Sequence, residues 1–371
     1  MKRKKVIVAM SGGVDSSVSA WILKKKYNVE GLFMKNWEEN DTKNFCASKK
    51  DLEDVKKVCN LIKIPFHKIN FSIEYWEKVF SKFLLELKNG KTPNPDILCN
   101  KEIKFKIFLN FAIKHLKADF IATGHYARLH CIHKKFFLKK GLDKKKDQSY
   151  FLYTLKKNQL KKILFPIGNM QKKKVRLIAN KLKMSVANKK DSMGICFIGP
   201  KNLQNFLKKY ISEKIGNIFT ISGNCVGKHY GLHNCTLGQR RKIGYIKKKN
   251  IINKFSPIYV VGKNIKKNII LVCKGYNNPH LMSIGMFIKK INILVKVDIR
   301  KTLFCSIKIR HQKKVFKCFV KFKYKNIVKV IFENPISSIT PGQSAVFYIS
   351  NICLGGGIIF KKIPLIKNIK I

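Results

Sequence analysis

Val6-Ile-Val-Ala-Met-Ser-Gly-Gly-Val-Asp-Ser-Ser17 decides the fold. Its first five residues form an apolar run of strand length, and residues 16–27 follow with helical periodicity, Val18, Trp21 and Ile22 facing inward. Between the two, Gly12 and Gly13 allow close backbone approach. Ser16, Ser17 and the first amides of the helix aim donors at an anion. The loop is neither Gly-x-x-x-x-Gly-Lys-Ser/Thr nor Gly-x-Gly-x-x-Gly, which excludes a Walker loop and a dinucleotide turn. A plain glycine turn with an ordinary cap is the bland alternative, and strand, loop and helix in this order argue against it.

Outward from the loop, apolar runs at 29–34, 66–69 and 120–123 alternate with helical patterns at 51–61, 75–88 and 101–115. Such alternation predicts right-handed βαβ units and a doubly wound parallel sheet, an α/β fold. After about Leu207 the segments shorten and glycines punctuate them, from Gly216 to Gly244, which predicts a small β-rich module. From about Met282 the pattern has period two, at 304–310, 315–324, 327–332 and 345–349, and predicts an all-β barrel or sandwich. The expected domains are 1–206, 207–281 and 282–371.

Composition narrows the function. The chain has 371 residues, 45% of them hydrophobic, enough for real cores, so disorder is excluded as the main state. The formal charge is +58, yet only seven of the 78 basic residues are arginine. A surface selected purely for phosphate would use more of arginine's bidentate fork. About half of the excess is read as compositional drift, and the rest favours a polyanion, with nucleic acid the default. The lysine runs at 144–146, 172–174 and 247–249 read as solvated surface. Eleven cysteines with no Cys-x-x-Cys pair suit neither a small disulfide scaffold nor a zinc site, and point to a reducing cytosol. The N-terminal apolar run is too short for a signal peptide. Residues 336–360 carry no charge, but Pro341, Gly342, Asn351 and Gly355 to Gly357 make them a turn-punctuated β segment rather than a membrane helix. A soluble, cytoplasmic protein is expected.

Two cysteines stand in chemical contexts. In Thr92-Pro-Asn-Pro-Asp-Ile-Leu-Cys-Asn100, two prolines stiffen a turn that places Asp96 three residues before Cys99, just ahead of the 101–115 helix. A helix start favours the thiolate, and a nearby carboxylate can exchange a proton. Asp191-Ser-Met-Gly-Ile-Cys196-Phe-Ile-Gly199 puts Cys196 in a glycine-flanked segment that suits a swinging sulfur carrier. Taken singly, each cysteine is a small buried hydrophobe, and most of the other nine are read that way.

The Ser-Gly-Gly-x-Asp-Ser loop resembles that of the pyrophosphate-loop ATPases, which cleave ATP between the α and β phosphates and adenylate a substrate. With Gly31 to Glu38, Thr92 to Phe105, Ala122 to Tyr126, Asp147 to Tyr153, Gly194 to Gly199, Thr236 to Arg240 and Thr340 to Val346, the chain resembles the bacterial tRNA-specific 2-thiouridylases over essentially its whole length. The resemblance implies ATP, with Mg²⁺ on the nucleotide, at Ala9, Met10, Ser11, Gly12, Gly13, Val14, Asp15 and Ser16, with Met34 at the adenine and Gly124 at the sheet edge. It implies adenylation of the wobble-uridine C2 oxygen in tRNAs for Lys, Glu and Gln. Cys196 would carry the persulfide, Cys99 would be the partner thiol able to close a Cys99–Cys196 disulfide, and Asp96 would be the general acid/base. Asn94, Pro95 and Asp96 would contact the target base, and His125, Lys146, Asp147, Gln148, Arg310, His311 and Gln343 would contact tRNA. A sulfur-relay protein or cysteine desulfurase is the implied donor, and a monomer the implied state. Another adenylating synthetase would not need both cysteines, an iron–sulfur thiolase would need a Cys-x-x-Cys pair, and an inactive tRNA-binding protein would not keep every catalytic position.

Overall fold

Residues Val6, Ile7, Val8, Ala9 and Met10 are all buried, so β1 (Lys5–Met10) can only be a central strand. The computed structural model describes residues 3–38, 47–191, 203–246, 257–311, 314–323 and 326–366. β1 lies in an all-parallel sheet of order β3-β2-β1-β4-β7, with β2 Asn28–Lys35, β3 Phe66–Asn70, β4 Phe120–Ala122 and β7 Ile163–Leu164. Strand alternation divides the core. Val6 and Val8 join Val18, Val55 and Val58 on one face, while Ile7 and Ala9 join Phe80, Phe105 and Phe108 on the other. The chain runs outward through β2 and β3 and then returns to β4 on the opposite side of β1. That reversal opens a crevice at the carboxyl ends of β1 and β4, where doubly wound sheets bind ligands.

Helix α1 (Val14–Lys24) begins two residues before its expected start and α2 (Ala47–Leu61) four before, and two others also begin earlier than their periodicity indicated. One runs over 72–88, and the other over 95–114 with a π-helical middle at Cys99–Phe108. Cys99 therefore lies inside a helix that starts at Pro95, rather than ahead of one. Asn94 explains the early start. Its Oδ1 accepts from the amides of Asp96 (3.1 Å) and Ile97 (3.4 Å), and Pro95 occupies the first helical position.

The middle module is a five-stranded sheet of order β10-β9-β8-β12-β11: Tyr245–Ile246, Cys225–His229, Gly216–Thr220, Ile269–Lys274 and Ile258–Asn264. In the last module, β13 (Met282–Ile293), β16 (Ile327–Ser337), β15 (Phe316–Lys323), β14 (Leu303–Lys308), β17 (Ser344–Ile349) and β18 (Ile352–Pro364) form an antiparallel barrel, closed by β18 on β13. The glycines of the uncharged stretch serve this closure. A Cβ on Gly355 would stand 2.1 Å from the Asn292 carbonyl oxygen. Among the described residues, no helix is long and apolar enough to cross a membrane.

One connection was not foreseen. A hairpin from the first 200 residues, β5 (Ala127–Ile132) and β6 (Lys135–Lys140), leaves the parallel sheet and joins the barrel's β18 through Ile352 and Lys139. Buried tyrosines lock this union: Tyr150 donates to the Ser344 carbonyl (2.9 Å), and the Tyr153 hydroxyl meets Ser344 Oγ (3.1 Å).

Candidate active site

The loop between β1 and α1 sits at the crevice between β1 and β4. Gly12 has φ +69°, and a Cβ there would lie 2.7 Å from the main-chain oxygen of Asp51. Gly13 is the N-cap of α1 and offers no side chain, so the first amides of the helix have no side-chain cap and face an anion site. Ser16 Oγ accepts from the Ser11 amide (3.2 Å) and donates to the Gly13 carbonyl (3.0 Å), which draws the loop into a ring. Ser17 Oγ also donates to Gly13 (2.9 Å). Gly124, just past β4, packs against the start of α1, where a Cβ would lie 2.8 Å from the Ser16 nitrogen. Met34, near the end of β2, is buried at the edge of the same crevice. Lys189 ties the loop from outside, donating to the Gly12 carbonyl (2.9 Å), Asp51 (2.7 Å) and Asp54 (2.5 Å). Burial alone would lower the Lys189 ammonium, but the two carboxylates outweigh it and hold it above the usual lysine range.

Asp15 is held rather than open. Both of its oxygens accept from Lys172 Nζ at 2.8 Å, and the Tyr126 hydroxyl donates to Oδ1 at 2.7 Å. Burial first, and then the Asp15 charge, pushes the Tyr126 phenol far up, so it remains a donor. Lys172 also pairs with Asp191 (2.7 Å), which in turn pairs with Lys146 and Arg176. One network thus joins the phosphate loop, the 146–148 segment and the first residue of the motif carrying Cys196. Two lysines read as solvated surface belong to it: Lys172 is buried, and Lys146 is ion-paired. A run of like charges cannot reveal which lysine the fold turns inward. Cys196 itself lies outside the described residues.

The turn before Asp96 is where three modules meet. The Thr92 amide donates to the Pro341 carbonyl (3.2 Å), the Thr92 carbonyl accepts from Gln343 Nε2 (2.6 Å), and its hydroxyl lies 3.4 Å from that of Thr236. Gly342, at φ +94°, comes so close that a Cβ would stand 2.9 Å from the Thr92 nitrogen. Arg310 binds the Leu237 carbonyl (2.8 Å), the Ser338 carbonyl (2.9 Å) and Thr340 Oγ1 (2.6 Å), joining barrel to middle module. Two residues beyond Thr92, Asn94 starts the helix that carries Asp96 and the buried Cys99.

The remaining expected tRNA positions are engaged within the chain. His125 is buried between Phe105 and Phe165 with Nδ1 2.8 Å from Thr123 Oγ1. Burial, aided by Lys104, pushes its imidazole well below the usual range, so it is neutral. Asp147 is buried, accepting from the amides of Gly141 and Ser149 (3.1 Å each) and from Lys308 Nζ (2.8 Å). Gln148 accepts from the Tyr126 amide (3.0 Å). His311 packs 4.3 Å from the Phe151 ring, with Nε2 3.2 Å from the Asp147 carbonyl, and feels the Asp96 carboxylate. Lys189, Tyr126, Thr92 and Lys308 were not singled out in the sequence, although Tyr126 and Thr92 fall within motifs quoted from it, and Lys172 was read there only as part of a solvated run.

This architecture has close relatives. The family described as tRNA methyl transferase HUP domain matches residues 4–200, the tRNA methyl transferase PRC-barrel domain matches 204–274, and the aminomethyltransferase beta-barrel domain matches 283–359. The tRNA-specific 2-thiouridylase MnmA of Buchnera aphidicola subsp. Acyrthosiphon pisum is 57% identical over 98% of this chain and 99% of its own. That of Blochmanniella floridana is 52% identical, with 98% of each chain covered. That of Shigella dysenteriae serotype 1 is 50% identical at the same coverage. With half or more of its residues shared across nearly its full length and a phosphate loop at the switch point of a parallel sheet, the chain belongs to the tRNA-specific 2-thiouridylases, a family of tRNA-modifying sulfurtransferases.

Proposed function

We propose that the protein thiolates C2 of the wobble uridine in tRNAs for Lys, Glu and Gln, using ATP to activate the base and a cysteine persulfide as sulfur source. The observation that carries this reading is the bare N-terminus of α1 at the crevice between β1 and β4, with Gly12, Gly13 and Gly124 keeping side chains out. Ala9 to Ser16 would cradle the ATP phosphates, with Met34 and Gly124 beside the nucleoside. The α1 amides and Ser16 are positioned to receive charge on the phosphates as the uridine C2 oxygen attacks the α-phosphorus and pyrophosphate leaves. Asp15, clasped by Lys172 and Tyr126, fits a role in orienting the loop. Mg²⁺ would arrive with the nucleotide and neutralise phosphate charge.

For sulfur transfer, the terminal sulfur of a Cys196 persulfide attacks C2. The Cys99 thiolate then attacks the Cys196 sulfur, the S–S bond breaks toward the base, AMP departs, and a Cys99–Cys196 disulfide remains for a cellular thiol to reduce. Asp96 would move the proton on the base side, and Asn94 and Pro95 would shape its seat. Cys99 is 1% exposed, so this scheme requires the 95–114 helix start to shift when tRNA binds. Arg310, His311, Gln343, His125 and the 146–148 segment would act on tRNA through the geometry they impose. The reading is tested by mass spectrometry of nucleosides from unmodified tRNA treated with protein, ATP, Mg²⁺ and a persulfide source. Formation of 2-thiouridine, lost in Cys196→Ser while pyrophosphate release persists, is the expected result. Undiminished thiolation by Cys196→Ser would overturn the sulfur route, and thiolation without ATP would overturn the adenylation step.

A further inference from the structure

Asn100, the neighbour of Cys99, is 3% exposed, and among the described residues no donor reaches its side-chain oxygen Oδ1. Its nitrogen is committed, since Nδ2 donates to the Phe151 carbonyl at 3.4 Å. A main-chain carbonyl can only accept, so this bond fixes which way the amide lies and rules out the flipped arrangement. A buried polar atom without a partner is uncommon in a folded protein and costly to keep, which marks it as a place where a ligand completes the set. Its position is specific. Asp96, Cys99 and Asn100 stand at i, i+3 and i+4 of the helix that begins at Pro95, so they share one face. A second route leads back to the same place. The Phe151 ring lies 4.3 Å from the ring of His311, and the charge of Asp96 acts on His311. Asn100, Phe151, His311 and Asp96 form one polar cluster beside Cys99.

We propose that Asn100 is a specificity-determining residue for uridine, its Oδ1 accepting the N3–H of the target base. The inference rests on the reading above, in which Asn94, Pro95 and Asp96 seat that base near Cys99, and on the same shift of the helix start that uncovers Cys99. N3 adjoins C2, the atom to be thiolated, so a contact at N3 also fixes the reacting edge of the ring. Uridine carries a hydrogen at N3, whereas cytidine carries a lone pair there. Oδ1 would oppose that lone pair, and Nδ2 cannot turn in to replace it, because the Phe151 carbonyl holds it. A site built around a buried acceptor rejects a substrate that brings no donor, since the acceptor is then left unpaired. The contact is one of recognition: an amide oxygen takes up no proton at neutral pH.

The test is single-turnover pyrophosphate release from ATP by the full chain, with tRNA carrying uridine, cytidine or 3-deazauridine at the wobble position. The last replaces N3–H by C–H. The native protein is expected to prefer uridine over cytidine by at least about 100-fold and over 3-deazauridine by at least about tenfold. Asn100→Ala, checked for a native circular dichroism spectrum, slows release with uridine by about tenfold and narrows both preferences by about tenfold, because the acceptor is gone. Asn100→Asp, kept protonated by burial beside Asp96, still donates to the Phe151 carbonyl and accepts with its other oxygen, so both preferences stay within about threefold of native. Equal slowing with all three bases in Asn100→Ala means a structural role only and overturns the proposal. So does native release with uridine and 3-deazauridine at rates within about twofold of each other, a result that needs no variant. No release by the native protein with any of the three bases overturns the proposed reaction, and this inference with it.

Discussion

Replacing Lys308 by Met tests the contact that joins the barrel to the catalytic module. The Lys308 and Asp147 side chains are 8% and 4% exposed, and their ion pair is 2.8 Å long. Removing one partner of a buried pair costs about 3–5 kcal/mol, because the other charge is left without compensation. Asp147 keeps its bonds from the Gly141 and Ser149 amides, each 3.1 Å. Those charge-assisted bonds place the expected loss at the lower end, about 3 kcal/mol. At about 2–4 °C per kcal/mol, Tm falls by about 6–12 °C.

The pH dependence sharpens this test. In the native protein burial alone would raise the Asp147 carboxyl, but Lys308 outweighs it and holds it below the usual range. That stabilisation is present above the ordinary carboxylate value of about 3.9 and is lost as pH falls through the lowered one. In Lys308→Met burial prevails, and the folded value rises above the unfolded one. The variant's deficit is then full at pH 7 and shrinks toward about pH 5 as the carboxyl takes up a proton. Chemical denaturation at both pH values measures it. Asp147→Asn combined with Lys308→Met recovers most of the loss, because the amide oxygen still accepts from both N–H groups. A deficit below about 1 kcal/mol, or one equally large at pH 5 and pH 7, refutes the reasoning.

Three further outcomes are expected. Gln343→Ala leaves the Thr92 carbonyl short of its donor at a cost of about 1–2 kcal/mol; thiolation kcat should fall about 5- to 30-fold with tRNA Kd changed less than twofold, measured by single-turnover assay and filter binding. Asn94→Ala removes the cap of the 95–114 helix, and a stability loss of about 1 kcal/mol is expected in urea titration, with Asn94→Asp retaining most of it. Asp15→Ala frees Lys172 and Tyr126 from the phosphate loop; tRNA-dependent pyrophosphate release should drop at least about 100-fold, as expected for losing several kcal/mol of transition-state support, and continued release at the native rate would sever Asp15 from the chemistry.

Local pattern alone carried the architecture of this protein. Val6 to Met10 followed by Ser-Gly-Gly-Val-Asp-Ser specifies a buried strand, a tight loop and a helix start through nearest-neighbour physics. The same is true of the period-two alternation between 304 and 349 and of the Asn94-Pro95 cap. Because the cap's donors and acceptor lie within three residues of each other, it was open to sequence reading even though the helix was expected six residues late. What only tertiary structure decided is which lysines have partners. Lys172 and Lys174 sit in one run, yet only Lys172 reaches Asp15, 157 residues earlier in the chain. The same holds for Thr92 and Gln343, 251 residues apart, and for the β5–β6 hairpin that crosses into the barrel. A charge or a carbonyl states in the sequence that it needs a partner. Only the folded chain, by bringing distant segments within 3 Å, states which one it has.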